Sequence, residues 1–321
     1  MTVPSFTEPV PDNGYRWWYL DAISDDDRHA ITVIVFIGSV FSPYYARARK
    51  RGDASANAHC SVNVALYGSP WRWCMTERTA ASLRASEHQL SIGKSRIRLD
   101  ENSLCVSIDE IAVPLPIRVR GRLRISLPAY DLDSHPLDAQ TPAKAKHFWQ
   151  PIAPQTPIEV TFDTPNLEWK GMAYVDSNYG SESLESSFRS WVWSRSHTPD
   201  NATNILYDVV DAQGTTRRKT LRFEANGSLG EHHAEHIQHL RPTRYWRIPR
   251  EARTVSNTTI SDLRTLEDTP FYSRSRFKEI INNQTHATVH ESLYLDRFDS
   301  SWVRCLLPFR MPRRTRPVLL D

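Results

Sequence analysis

The chain has 321 residues, 40% hydrophobic and 24% charged, which excludes a disordered or fibrous protein and leaves room for one large or two ordinary domains. Its 40 Lys and Arg against 37 Asp and Glu leave a net charge of +3, too balanced for a nucleic-acid binder, so any basic patch must be local. Its 10 Trp, 12 Tyr and 11 Phe exceed what a hydrophilic small-molecule enzyme needs and point to a large apolar ligand or a membrane interface.

The first ten residues have neither a basic n-region nor an apolar h-region, so no secretory signal is expected. From Tyr15, two strand-like runs around a polar turn at 24–28 read as a β-hairpin. Its second run, 31–41, is the longest apolar stretch and about half the length that spans a bilayer, so no transmembrane helix is expected. The next segment, Pro-Tyr-Tyr-Ala-Arg-Ala-Arg-Lys-Arg-Gly over 43–52, reads as an exposed loop or short helix: a solvated basic face, or a Tyr and Arg patch for anionic headgroups. The cysteines Cys60, Cys74, Cys105 and Cys305 form no Cys-x-x-Cys pair, which fits reduced cytosolic thiols and no zinc ribbon.

Short strands follow at 61–67, 71–76, 94–99 and 103–108. In 117–125, Ile117, Val119, Leu123 and Ile125 share one face and Arg118, Arg120, Arg122 and Arg124 the other, so the arginine face is wet, paired with acids, or set against an anionic surface. The Pro-rich stretch 126–157 reads as a long connecting loop. Strands resume at 158–162 and 167–176. Near the end of the latter, Tyr174, Asp176 and Asn178 fall on one strand face; they are either turn chemistry or a barrel interior that hydrogen-bonds a ligand.

A second β pattern, 190–194, 203–210, 218–223, 244–250, 256–266 and 288–297, resembles the first in texture, so an all-β protein of two domains, 1–185 and 186–321, is expected. Within it, His232, His236 and His239 have metal-like helical spacing, but Gly230 and Pro242 leave barely three turns; a polar loop with one His near a site is the expectation, and no metal. The stretch Thr-Leu-Glu-Asp-Thr-Pro-Phe-Tyr-Ser-Arg over 265–274 sets Glu267 and Asp268 beside Phe271 and Tyr272. An acid in such an apolar wall stays protonated and can donate a proton at neutral pH; the plainer reading is a turn whose side chain binds nearby amides. The tail over 302–317 mixes apolar side chains with five arginines, as an interfacial anchor or a docking tail does.

Several runs together resemble one family. They are Trp-Tyr-Leu-Asp-Ala over 18–22, Phe-Ile-Gly-Ser-Val-Phe-Ser-Pro-Tyr-Tyr-Ala over 36–46, Asn-Val-Ala-Leu-Tyr-Gly over 63–68, Ala-Tyr-Val-Asp-Ser-Asn-Tyr-Gly over 173–180, Leu-Glu-Asp-Thr-Pro-Phe-Tyr over 266–272 and His-Glu-Ser-Leu-Tyr-Leu-Asp-Arg-Phe over 290–298. These resemble the carotenoid 1,2-hydratases, also called hydroxyneurosporene synthases. The resemblance implies two lipocalin-like β-barrel domains in tandem and cofactor-independent addition of water to the terminal double bond of acyclic carotenoids such as neurosporene and lycopene, in the spheroidene or spirilloxanthin branch of a photosynthetic bacterium. It also implies a peripheral protein on the cytoplasmic side of a membrane. The His-rich segment over 232–239 departs from the family pattern.

Hydrating such an alkene takes a buried acid, π faces for a tertiary cation and a positioned water. Asp268 is the expected proton donor, Trp246 and Tyr272 the cation-stabilising rings, and Tyr272 or His239 the group that orients water. Asp176, Asn178, Tyr174 and Phe271 are the expected substrate-binding residues. A non-catalytic carotenoid or lipid carrier, or a hydratase or cyclase of another isoprenoid, would use a similar cavity.

Overall fold

The computed structural model describes residues 3–316; Met1, Thr2 and Pro317, at the ends of the two outer segments read above, lie outside them. The chain is mostly β and divides into two compact units: residues up to Ser183 together with those from Arg304 onward, and Leu184–Val303.

In the first unit the strands are β1 (Tyr15–Ser24), β2 (Ala30–Ile37), β3 (Cys60–Tyr67), β4 (Arg72–Arg78), β5 (Leu83–Ala85), β6 (Gln89–Ile92), β7 (Ser95–Asp100), β8 (Ser103–Ile111), β9 (Arg118–Ser126), β10 (His135–Pro136), β11 (His147–Thr164) and β12 (Leu167–Gly180). They run in the order β4-β3-β2-β1-β12-β11-β9-β8-β7-β6-β5, with β10 beside β11. Alternation sends Trp18, Leu20, Val33, Val62, Leu123, Ile125 and Phe162 into one apolar core around which the sheet curls. The curl brings β4 to β8: Arg78 donates to Glu110 at 2.7 Å inside the core, and the Val113 N–H donates to the Trp73 carbonyl. Burial holds the Glu110 carboxyl above its ordinary range despite that partner.

Two sequence expectations fare differently here. The arginine face of β9 is exposed, with Arg118 donating to Asp109 of β8 and Arg120 near Asp163, so it is a wet face with paired acids. The end of the stretch read as a long loop, from His147 on, instead belongs to β11, eighteen residues long, of which only 158–162 was read as a strand. Its prolines concealed it, but Pro151 and Pro154 fall at register shifts in the pairing with β12, where a missing N–H is tolerated. Of the two readings of 43–52 the short helix forms, α1 (Pro43–Lys50), capped by Ser42, and it buries Tyr45, whose hydroxyl donates to the Gly14 and Ala54 carbonyls.

The second unit begins with α2 (Leu184–Ser187) and continues through β13 (Phe188–His197), β14 (Thr203–Asp211), β15 (Thr216–Phe223), β16 (Leu229–Gly230), β17 (His236–Leu240), β18 (Arg250–Thr254), β19 (Thr259–Asp268), β20 (Tyr272–Ile281) and β21 (Gln284–Tyr294). Seven of these pair in the order β16-β15-β14-β13-β21-β20-β19, while β17 and β18 form a separate hairpin. Strand β18 is tied to one face of the larger sheet: Arg250 donates to Ser275, and Arg253 to Asp208 and Thr220. A two-residue turn, with Asn282 and Asn283 at φ 49 and 63, joins β20 to β21 and fixes which side chains share a face. Two helices follow, α3 (Leu295–Phe298) and α4 (Ser301–Arg310); the chain re-enters the first unit within α4, at Arg304, and β22 (Arg313–Arg314) pairs there parallel to β4. There Arg313 donates to Glu77, which also holds His59 at 2.8 Å.

Candidate active site

Asp268 is the last residue of β19. The hairpin beyond it is closed by Thr269, whose hydroxyl accepts the Tyr272 N–H at 2.9 Å. Its carboxylate accepts the N–H of Tyr245 at 2.7 Å and of Trp246 at 3.3 Å. These donors come from the loop 241–249 between β17 and β18, where 244–250 was read from sequence as a strand. The loop is closed by Thr243, which accepts the Ile248 N–H, and held by Arg297, which donates to the Trp246 carbonyl. Trp246 is partly exposed and stacks on Trp302, with ring centroids 5.7 Å apart.

The aromatic wall expected around Asp268 is arranged otherwise. Phe271 is buried against Phe298, with centroids 5.1 Å apart. Tyr272 precedes Ser273 on a strand, so its ring lies on the opposite face from Asp268, and its hydroxyl accepts from Arg274 at 3.2 Å. Asp268 is half-buried, and amides rather than rings meet its carboxylate.

What shares a face with Asp268 is polar. Register sets Asp268 opposite Ser273 and Ser273 opposite Ser292; in the next row along, Ser275 lies opposite His290, which lies opposite Ser194. Directly opposed side chains in such a ladder have Cβ atoms about 5 Å apart. Arg250 crosses this face, donating to Ser275 at 2.8 Å and Thr265 at 2.9 Å. His290 is fully buried and its Nε2 lies 2.9 Å from the Glu251 carbonyl oxygen. A carbonyl only accepts, so Nε2 carries the hydrogen and Nδ1 keeps its lone pair. Burial pushes this imidazole down to about 4, so it is neutral near pH 7. Nδ1 of His290 and the hydroxyls of Ser273 and Ser292 are buried without a hydrogen-bond partner among the described residues. An unmet buried group costs on the order of 1–3 kcal/mol, so three in one patch is a concentrated cost. Further along the same face lies Glu279, pushed up to about 7 by burial, with Ser196 and Thr288 nearby.

The remaining expected residues lie elsewhere. His239 is on β17 with its side chain exposed, 3.2 Å from Glu251. His236 sits on the same strand, so the helical spacing read for the histidines does not form. Among the described residues no group of three or more His, Cys, Asp or Glu is placed to hold a metal ion. Tyr174, Asp176 and Asn178 do share one buried face of β12 and do meet: Asp176 accepts from Tyr174 at 2.7 Å and from Asn178 at 3.2 Å. Trp149, which sequence left in a loop, supplies a further donor at 2.8 Å. On β1, Tyr19 lies opposite Asp176 and donates to buried Asp21 at 2.8 Å.

Ser273 escaped sequence reading because β20 alternates Ser with Arg, a polar pattern on both faces that gives no apolar period, and its cross-strand neighbours Ser292 and His290 lie on β21. The only signal was the short hydroxyl-and-histidine spacing Ser273, Ser275 and His290, Ser292.

Fold and site together define a mostly β protein with a buried polar row on one sheet face. Residues 33–319 match the family model described as carotenoid hydratase CrtC, and the chain belongs to that family. It is similar to the acyclic carotenoid 1,2-hydratase of Thiocapsa roseopersicina, 45% identical over 311 residues covering 97% of this chain and 76% of the relative. The enzyme of the same description from Rubrivivax gelatinosus is 44% identical over 314 residues, with the same coverages of 97% and 76%. A solved structure, CghA with Sch210972, superposes with a TM-score of 0.53 at 10% identity over 91% of this chain and 94% of that one, a likeness of fold alone.

Proposed function

We propose that this protein adds water across the terminal C1–C2 double bond of an acyclic carotenoid such as neurosporene or lycopene. The observation that carries the reading, in a member of this family, is a carboxylate at the end of a buried polar row, Asp268 beside Ser273. Asp268 protonates C2, the tertiary cation forms at C1, and water captures it. Trp246, whose N–H also holds Asp268, offers the cation a π face worth up to about 2 kcal/mol when desolvated. Alkene and water account for every atom of the product, so the reaction as proposed consumes no cofactor. Tyr174, Asp176, Asn178 and Trp149 form a hydrogen-bonded aromatic and polar patch within the first unit, and its curled sheet serves as a lipocalin-like barrel. Purified protein incubated with detergent-dispersed lycopene in heavy-oxygen water, without added cofactor, is expected to yield product carrying one labelled oxygen. Lycopene bound but unaltered would mark a carrier instead.

A polyene must leave a lipid phase, and α4 supports a membrane-facing role. Trp302, Leu306 and Phe309 recur at helical spacing and are 51%, 43% and 77% exposed. No carboxylate occurs from Trp302 to Arg316, and Arg310 lies over the Trp73 ring at 4.3 Å. No helix among the described residues is long and apolar enough to cross a membrane. Apolar residues flanked by cations suit an anionic bilayer surface. Replacing Leu306 and Phe309 by Ser is expected to reduce co-sedimentation with anionic phospholipid vesicles; unchanged binding would remove α4 from this role.

A further inference from the structure

The hydratase reading leaves open which groups hold the water. Ser273, Ser292 and His290 are each wholly buried, and each has a polar atom that no described residue meets. Two other such atoms, Trp18 Nε1 and Trp169 Nε1, belong to residues of the apolar core of the first unit. These three are neighbours instead: Ser292 lies opposite Ser273, Ser273 opposite Asp268, and His290 two residues from Ser292 on the same strand face. A buried hydroxyl both donates and accepts, and an imidazole lone pair only accepts, which is the donor and acceptor set that surrounds one or two water molecules.

We propose that Ser273, Ser292 and His290 form the site that binds the water consumed in hydration, with His290 Nδ1 accepting the proton this water releases. The inference rests on the hydratase reading and deepens it. In the step, the Asp268 O–H bond breaks as its proton forms a C–H bond at C2, using the alkene π pair. The water oxygen then bonds to the cation at C1. One of its O–H bonds breaks toward Nδ1, which becomes an N–H. The proton returns along Ser292 and Ser273 to the Asp268 carboxylate, so alkene and water give a tertiary alcohol and the protein is restored. The Nε2–H bond to the Glu251 carbonyl keeps the ring turned so that Nδ1 stays the acceptor throughout. Arg250, fixed on Ser275 and Thr265, occupies the neighbouring row.

The test separates proton donation from water capture. The full-length wild type, the double variant Ser273→Ala with Ser292→Ala, and His290→Gln, whose amide can keep the donor to Glu251, are each incubated with lycopene in deuterated water. Two rates are read by mass spectrometry: alcohol formed, and deuterium appearing in recovered lycopene. If capture is what these residues serve, hydration falls by about 100-fold in the variants while Asp268 still delivers deuterons to the alkene. The ratio of exchange to hydration then rises at least about tenfold, which loss of folding cannot imitate. A ratio equal to that of the wild type, whether both rates persist or both collapse, would overturn the water site. Absence of hydration by the wild type would overturn the hydratase reading itself, and with it the reactant role of this water.

Discussion

Asp176 and Asp268 are both carboxylates on a strand beside a polar row, and their surroundings differ in kind. Asp176 is filled: Trp149 and Tyr174 donate to one oxygen and Asn178 to the other, all side chains of its own unit. Asp268 is held from outside its sheet by two backbone amides, and the hydroxyl row beside it is unmet. A carboxylate met on both oxygens is fixed in geometry, whereas unmet hydroxyls leave capacity to bind and to move protons. The comparison separates a carboxylate held by side chains from one whose neighbouring hydroxyls still have bonds to make.

The hardest test of that contrast is Asp268→Asn, which keeps an acceptor oxygen for one of the two backbone amides but removes the acid. Turnover of lycopene is expected to fall by at least about 100-fold with the melting temperature little changed, and normal turnover would remove Asp268 from the chemistry. Asp176→Ala should behave in the opposite way. It removes an acceptor shared by three donors and is expected to cost about 3 kcal/mol in denaturant unfolding, with kcat of the folded protein within about threefold of wild type. A loss of kcat without loss of stability would make Asp176 part of the reacting site.

Glu279 sharpens the same contrast within the second unit. Its folded value of about 7 lies above the ordinary 4.5, so the folded state holds this proton more tightly. The sign follows: stability from this group is present below pH 4.5 and is lost as pH rises through 7. Glu279→Gln should therefore gain about 2 to 3 kcal/mol on the wild type between pH 5 and pH 8, read by urea unfolding at both. Neutral histidines pull the other way. His59, His147, His232 and His290, each lowered to about 4 with burial as the largest cause, contribute stability above pH 6.5 that is lost as pH falls toward 4. The smallest effect is expected at Trp246: replacement by Leu should slow turnover by about fivefold, the worth of one partly exposed cation–π contact. An unchanged rate would assign Trp246 only its backbone role.

Strands with apolar alternation, such as β2, β3 and β9, were legible, and so was the β-rich character of both halves. What stayed hidden was hidden for physical reasons. Prolines masked β11, and a polar pattern on both faces masked β20, the strand that carries the hydroxyl row. Asp268 itself was legible as an acid near a turn, but its partners were not, because the amides of Tyr245 and Trp246 reach it from another connection in the fold. Tyr272 looked like a neighbour of Asp268 in sequence; strand alternation turned it away.

The return of the chain to its first unit has a consequence for how the protein is made. Arg313 pairs with Glu77, and β22 adds to the edge of β4, only after the whole second unit has been synthesised. On the ribosome, the part translated first is thus completed last, and until then buried Glu77 and His59 lack the guanidinium that meets them. A fusion or truncation within 304–316 should therefore disturb the edge of the first sheet, far away in sequence.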